Sequence, residues 1–429
     1  MATFETLPAE LRIQILEEIP DVSSLRSLTR ASPAYRSTYF RTRKTVLHQL
    51  VTRLYGFVDL AEPLAAVDSE GLHAETQGNK NEIIALLDRR RRHPELDGRD
   101  PRLPSEDQSV QLLQLYNELD RVLHACCAQV PRPSHIAPQT CGHDSTTNIS
   151  FQEKARIIRS LCRLQTFCNI FGAREWVEPQ PSVPDRALDP SLLKRRSTTW
   201  HRQFTIDEVW DLFFRTMPPW EVEEFGSVWT LIRQKYVDIF STIAKEFPRN
   251  SPQWRALRPS TMPLDPSELF NNPANEYSIS DYDDYCNHLV SLGPIFLAKV
   301  LQQPDEEHRR RLLACNAIPA KSSFMDMVRV VSQPLPLLPP ADRYETHNIG
   351  GILPTLPPLD QPAQAWKQHW YGDASVDHVM YTPRSGPQHS LHSMHQGWDG
   401  NAGAFNAYTF GFSEGWIWGY ALWDTDIRS

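Results

Sequence analysis

No stretch of this chain approaches the roughly 20 consecutive apolar residues that a bilayer span needs. Residues 1–8 have neither a basic start nor an apolar run, which predicts no signal peptide. Glycine is sparse, 18 in 429 residues, and no Gly-x-Gly-x-x-Gly or Walker loop is formed from it, so no phosphate cradle is expected. A Gly-x-Ser-x-Gly nucleophile elbow is also missing. Positive charge is not in excess. The formal net charge is -8 and the pI near 6.0, which removes any general attraction to nucleic acid or an anionic membrane. The seven cysteines (Cys126, Cys127, Cys141, Cys162, Cys168, Cys286 and Cys315) are odd in number and lack framework spacing. That predicts free thiols and a reducing cytoplasmic or nuclear compartment. No internal repeat at a solenoid period is found.

What is abundant is proline, 35 residues, about double the usual share, so long irregular connections are expected between helices. Hydrophobic content of 40% and charged content of 22% suit a folded chain, long enough for two or three domains. The apolar periodicity is helical almost throughout. Pro8 precedes a helix over 9–19, Ser23 is placed to cap a second to Ala31, and Pro33 starts a third to about Leu54. A short helix near Lys80–Arg92 follows, then one opening at Ser105 with Leu112, Leu115, Tyr116, Leu119 and Leu123 on one stripe. Ser150 and Glu153 form a capping box ahead of Ile157, Ile158, Leu161, Leu164 and Phe167, with Gly172 as terminator. Thr205 and Glu208 form a second box. Pro218-Pro219 open a long helix to Phe247, and 280–301, 305–315 and 322–332 fit further helices. Eight prolines between Pro334 and Pro362 predict an extended arm. Beyond it, Phe410 and Phe412, then Trp416, Trp418, Tyr420 and Leu422, alternate with period two among glycines, which predicts short strands. The expected fold is mainly α: a helical module over 1–55, an irregular connection over 56–104, a helical body over 105–332, a Pro-rich arm over 333–362 and a small Gly/Trp-rich β element over 363–429.

Candidate chemistry is thin. His389, His392 and His395 at i, i+3, i+6 could bring two imidazoles to one metal, with Asp377, His378, Cys141 or His143 as further donors. Zinc needs three or four fixed ligands, and a polar loop explains the run better. Asp424 and Asp426, and Asp281, Asp283 and Asp284, are carboxylate clusters, but nothing sets two of them across a cleft as glycoside hydrolysis requires. The basic runs Arg89–Arg92, Lys194–Arg196 and Arg309–Arg311 border predicted helix ends, where cations suit the dipole, and read as solvated faces. The tryptophans near the end read as a small core. No catalytic residue, metal ligand or cofactor is assigned.

The strongest pattern is Leu7-Pro8-Ala9-Glu10-Leu11, then Ile15-Leu16, Ile19, Leu25, Leu28 and Tyr35. These are two short amphipathic helices too small to bury their own apolar faces. The pattern resembles the F-box, the module that docks on the Skp adaptor of cullin–RING ubiquitin ligases. With one extra residue between the helices, Ser32 stands where that family often has Cys and Tyr35 where it has Trp. The Arg30-Ala-Ser-Pro33 variant is similar to the degenerate F-box of filamentous-fungus proteins in which a helical body and a Trp-rich segment follow. The resemblance covers about a tenth of the chain. It implies a non-enzymatic, substrate-recruiting ligase subunit. The implied adaptor-binding residues are Leu7, Pro8, Leu11, Ile15, Leu16, Leu25 and Leu28, and the partners are a Skp-type adaptor and a protein client. Two other readings compete. One is a structural or interaction protein whose F-box-like helices pack inward, and the other a metal-binding enzyme built on the His389–His395 run.

Overall fold

The computed structural model describes residues 4–91, 103–127, 149–176, 203–246, 256–257, 283–316, 353–364, 366–367, 419 and 421–424. Among them the chain is mainly α, with twelve α-helices and no strand. The predicted helix at 322–332 lies outside the described residues. So do Asp281, Asp426, Lys194–Arg196, the histidine run with Asp377, His378, Cys141 and His143, and the aromatic alternation from Phe410 to Trp418 and at Tyr420. Its last member, Leu422, sits in a turn rather than a strand. There Leu422 N–H donates to the Gly419 carbonyl at 2.8 Å, and Gly419 has φ +71°.

The N-terminal module is three helices: α1 (Ala9–Glu17), α2 (Val22–Ala31) and α3 (Pro33–Tyr55). α1 stops two residues short of the predicted Ile19, because Pro20 disfavours helical backbone at the residue before it. The cap of α2 is Asp21 rather than Ser23: its carboxylate accepts from Ser24 N–H at 2.8 Å and from the Ser24 hydroxyl at 2.7 Å. Ser32 caps α3, with Pro33 at its first position. Thr42 is non-helical (φ -116°, ψ 16°) and its hydroxyl donates back to the Thr38 carbonyl at 3.0 Å, a local competitor for the backbone that bends helices. Arg53, near the end of α3, donates to the Glu17 carbonyl at 2.9 Å and to the Ile19 carbonyl. A cation thus sits on the orphan carbonyls at the end of α1.

α3 carries the module onto the body. It buries Val46, Leu47, Leu50, Val51 and Tyr55 against α6 (Glu106–Cys127). The Tyr55 hydroxyl donates to the Leu112 carbonyl at 2.9 Å, and its ring meets Tyr116 edge-on at 5.3 Å. Between them lie α5 (Lys80–Arg91) and α4 (Ala61–Asp68), the latter unforeseen, since Pro63 in its first turn and the missing side-chain cap hid it.

The centre of the fold is α7 (Phe151–Phe171), buried along nearly its whole length. It starts at the expected box: Glu153 N–H donates to Ser150 Oγ at 3.1 Å and Ser150 N–H to Glu153 Oε2 at 2.7 Å. It ends at Gly172, whose backbone is extended, so left-handed geometry is not why glycine is there. A Cβ at that position would collide with the Ser291 carbonyl and lie 2.8 Å from Cys168 Cα. Against α7 pack α4, α6, α9 (Pro219–Glu246) and α11 (Pro294–Leu301). α8 (Ile206–Phe213), opened by its Thr205–Glu208 box, brings Phe213 to Phe167 at 5.3 Å. The single helix expected over 280–301 is two, α10 (Asp283–Ser291) and α11, split at Gly293 (φ +92°) and Pro294. α12 (Glu306–Asn316) follows.

Of the predicted Pro-rich arm over 333–362, residues 333–352 lie outside the described residues, and 353–362 packs onto the body. Leu353, Pro362 and Ala363 are buried, and Trp366 meets Trp220 edge-on at 5.8 Å. Leu422 and Trp423 are buried beside them, as expected for tryptophan used as core.

Candidate functional site

The sequence-assigned docking residues divide by depth. Leu16 and Leu25 are buried, with Ile19, in the chain's own core against α3, whose Tyr35 is buried there as well. Leu7, Ile15 and Leu28 are half-buried. Pro8 is exposed and Leu11 is 44% exposed. Phe4, 55% exposed, stacks on Tyr35 at 4.9 Å. α1 therefore has an inner face that closes the module and an outer edge, led by Pro8 and Leu11, that is left to solvent. Such an edge can bind an apolar groove.

A second constellation, absent from the sequence reading, lies on α7. Arg156, Arg159 and Arg163 follow one another at i, i+3, i+7, which places them along one face, and all three are buried. Arg163 reaches Glu62 of α4 at 2.8 Å and Glu221 of α9 at 2.8 Å. Glu62 also accepts from Arg90 at 2.8 Å. Arg159 forks onto Glu224 at 2.8 and 2.9 Å and donates to the Leu359 carbonyl at 3.2 Å. Arg156 pairs with Asp424 at 3.0 Å and donates to the carbonyls of Gln361 at 3.3 Å and Leu422 at 3.2 Å. Burial opposes ionisation of Glu62, yet Arg163 and Arg90 overcome it and hold its carboxyl at about 2. Burial pushes Glu224 up against the pull of Arg159, and Glu221 adds to the rise. Arg90 thus turns inward, over the Phe213 ring at 4.7 Å, instead of joining the solvated face expected of Arg89–Arg92. Arg309–Arg311 lie in the first half of α12, not its last turn, and Arg310 pairs with Glu306 at 3.1 Å. The signal for the α7 arginines was available: a helix with apolar residues on most of its circumference is buried all round, and arginine is rarely fully buried unless paired.

This lattice ties α4, α5, α7 and α9 together and carries residues 353–364 and 421–424 on its outer flank. Beside it opens a cleft of about 390 Å³ lined by Arg156, Gln361, Gln364, Lys367 and Asp424 among others. Among the described residues, no group of three or more His, Cys, Asp or Glu side chains could hold a metal ion, and no helix is long and apolar enough to cross a membrane. Six described cysteines are free thiols, five of them buried.

The fold defines a mainly α protein with an exposed apolar leading edge and a charge-laced interior. No family model, no curated protein and no solved structure matches the chain.

Proposed function

We propose that this chain is a substrate-recruiting, non-enzymatic subunit of a cullin–RING ubiquitin ligase, docking a Skp-type adaptor through the outer edge of α1 and its neighbours. One observation carries the reading. Pro8 is exposed and Leu11 is 44% exposed, although Leu16, Leu25 and Tyr35 already close the module's core behind them. An apolar edge of this kind, Pro8 and Leu11 with Phe4 also exposed, is a surface that another protein can cover. Each such side chain buried on docking contributes roughly 1.5–3 kcal/mol. The mechanism is proximity: a client held by the body sees a raised effective concentration of the conjugating machinery. A cytoplasmic or nuclear setting suits the free thiols. A structural or interaction protein with an inward-packed module is the second reading, favoured by the burial of Leu16 and Leu25 against α3.

The test is capture of purified Skp-type adaptor by the full chain and by its Leu7→Ala, Pro8→Ala double variant. The expected result is adaptor bound by the unaltered chain and lost from the variant, with the helical circular dichroism unchanged. Equal capture by both, or none by the unaltered chain, overturns the docking role in favour of the second reading.

A further inference from the structure

We infer that the outer flank of α7 is a peptide-reading seat, occupied in this chain by its own Leu422-Trp423-Asp424 and able to take a segment of another protein with the same apolar–Trp–Asp character. The inference is independent of adaptor docking at α1.

The contacts are those by which a bound peptide is read. Arg156, 2% exposed, donates to the Leu422 carbonyl at 3.2 Å and pairs with the Asp424 carboxylate at 3.0 Å. Glu153 Oε1 accepts from Asp424 N–H at 2.9 Å, while its Oε2 holds the helix cap. Two backbone groups and one acidic side chain are therefore recognised by two residues of a single helix turn. Leu422 and Trp423 supply the buried apolar anchors, and a tryptophan beside a desolvated charge pair is the usual make-up of an energetic hot spot. The helix that carries the reading residues does not depend on the segment: α7 is held by its capping box, by α4, α6 and α9, and by the Arg163–Glu62 and Arg159–Glu224 pairs, whereas the Arg156 guanidinium takes its partners from Gln361, Leu422 and Asp424.

The present occupant also fits imperfectly. Asp424 Oδ1 pairs with Arg156 at 3.0 Å and accepts from Gln364 N–H at 3.3 Å, but the enclosed Oδ2 has no hydrogen-bond partner among the described residues. An enclosed carboxylate oxygen without a donor costs free energy that a better-placed competitor recovers. The seat runs into the cleft of about 390 Å³, which leaves room for residues flanking the motif. Lys367 lines that cleft, and burial together with the nearby Arg156 charge depresses its pKa.

The experiment uses a fluorescent peptide, Gly-Tyr-Ala-Leu-Trp-Asp with blocked ends, and the full-length chain carrying Trp423→Ala and Asp424→Ala, which vacate the seat. Anisotropy should show saturable binding to this variant. Binding to the unaltered chain should be at least about tenfold weaker, because its own segment competes at high effective concentration. A peptide with Asn in place of Asp should bind the variant at least about tenfold more weakly, having lost the ion pair with Arg156. The inference is overturned if no saturable binding occurs, or if the Asn peptide binds as well. Loss of the variant's helical circular dichroism makes the segment an indispensable part of the core and also overturns it. Concentration-dependent dimers of the unaltered chain that the double substitution abolishes would assign the seat to a second copy instead.

Discussion

Glu62→Gln isolates the contribution of the buried charge lattice. Glu62 bridges Arg90 and Arg163 at 2.8 Å each, and the Glu62 and Arg163 side chains are only 10% and 6% exposed. Glutamine is close in shape to the protonated carboxyl, so the cost of the substitution is near the free energy of protonating Glu62 in place. The folded carboxyl is held at about 2 against an ordinary 4.5, a difference worth about 3 kcal/mol. The usual cost of removing one partner from a buried pair, roughly 3–5 kcal/mol, agrees in scale. The folded value is depressed, so this stability is fully present above pH 4.5 and is lost as pH falls toward 2. Urea unfolding of both proteins by circular dichroism should show a gap of about 3 kcal/mol at pH 7, narrowing to roughly half by pH 3. Superimposed transitions at pH 7, or a gap that persists unchanged at pH 3, would show that Glu62 does not carry the charge balance of α4, α5 and α7.

Two further outcomes are expected. Gly172→Ala should cost about 1–3 kcal/mol and lower the thermal midpoint, because the new methyl meets the backbone carbonyl of Ser291 and the Cys168 Cα rather than a movable side chain; an unchanged melt refutes the close approach. Burial pushes the Cys126 thiol up to about 12 and raises Cys162 and Cys168 as well, so iodoacetamide at pH 8 should leave all three unmodified in the native protein and alkylate them in urea, as read by peptide mass spectrometry.

The helices that could be read from the sequence are those with a local start and stop. The boxes at Ser150–Glu153 and Thr205–Glu208 close within three residues, and the prolines at 20, 33, 219 and 294 act on their immediate neighbours. α4 escaped because its start has no side-chain cap. The split at Gly293 escaped because the apolar pattern runs on through it; the left-handed backbone there lets Ile295 N–H reach Gln165 at 3.0 Å. At the leading edge, the pattern singled out seven residues as one docking set. Depth then divided them, since whether Leu16 or Leu11 faces α3 depends on how the three helices close.

The sequence by itself determined that this chain is helical, where most of its helices begin, and that it presents a Leu-Pro-led edge. Those signals operate between residues a few positions apart, where backbone hydrogen bonds and caps form. Only the tertiary structure decided which charges are interior. Arg156, Arg159 and Arg163 find their partners 58 positions (Arg163 to Glu221) to 268 positions (Arg156 to Asp424) away in the chain. Electrostatic pairing depends on separation in space and on the exclusion of water, and neither is written in the order of residues along a helix.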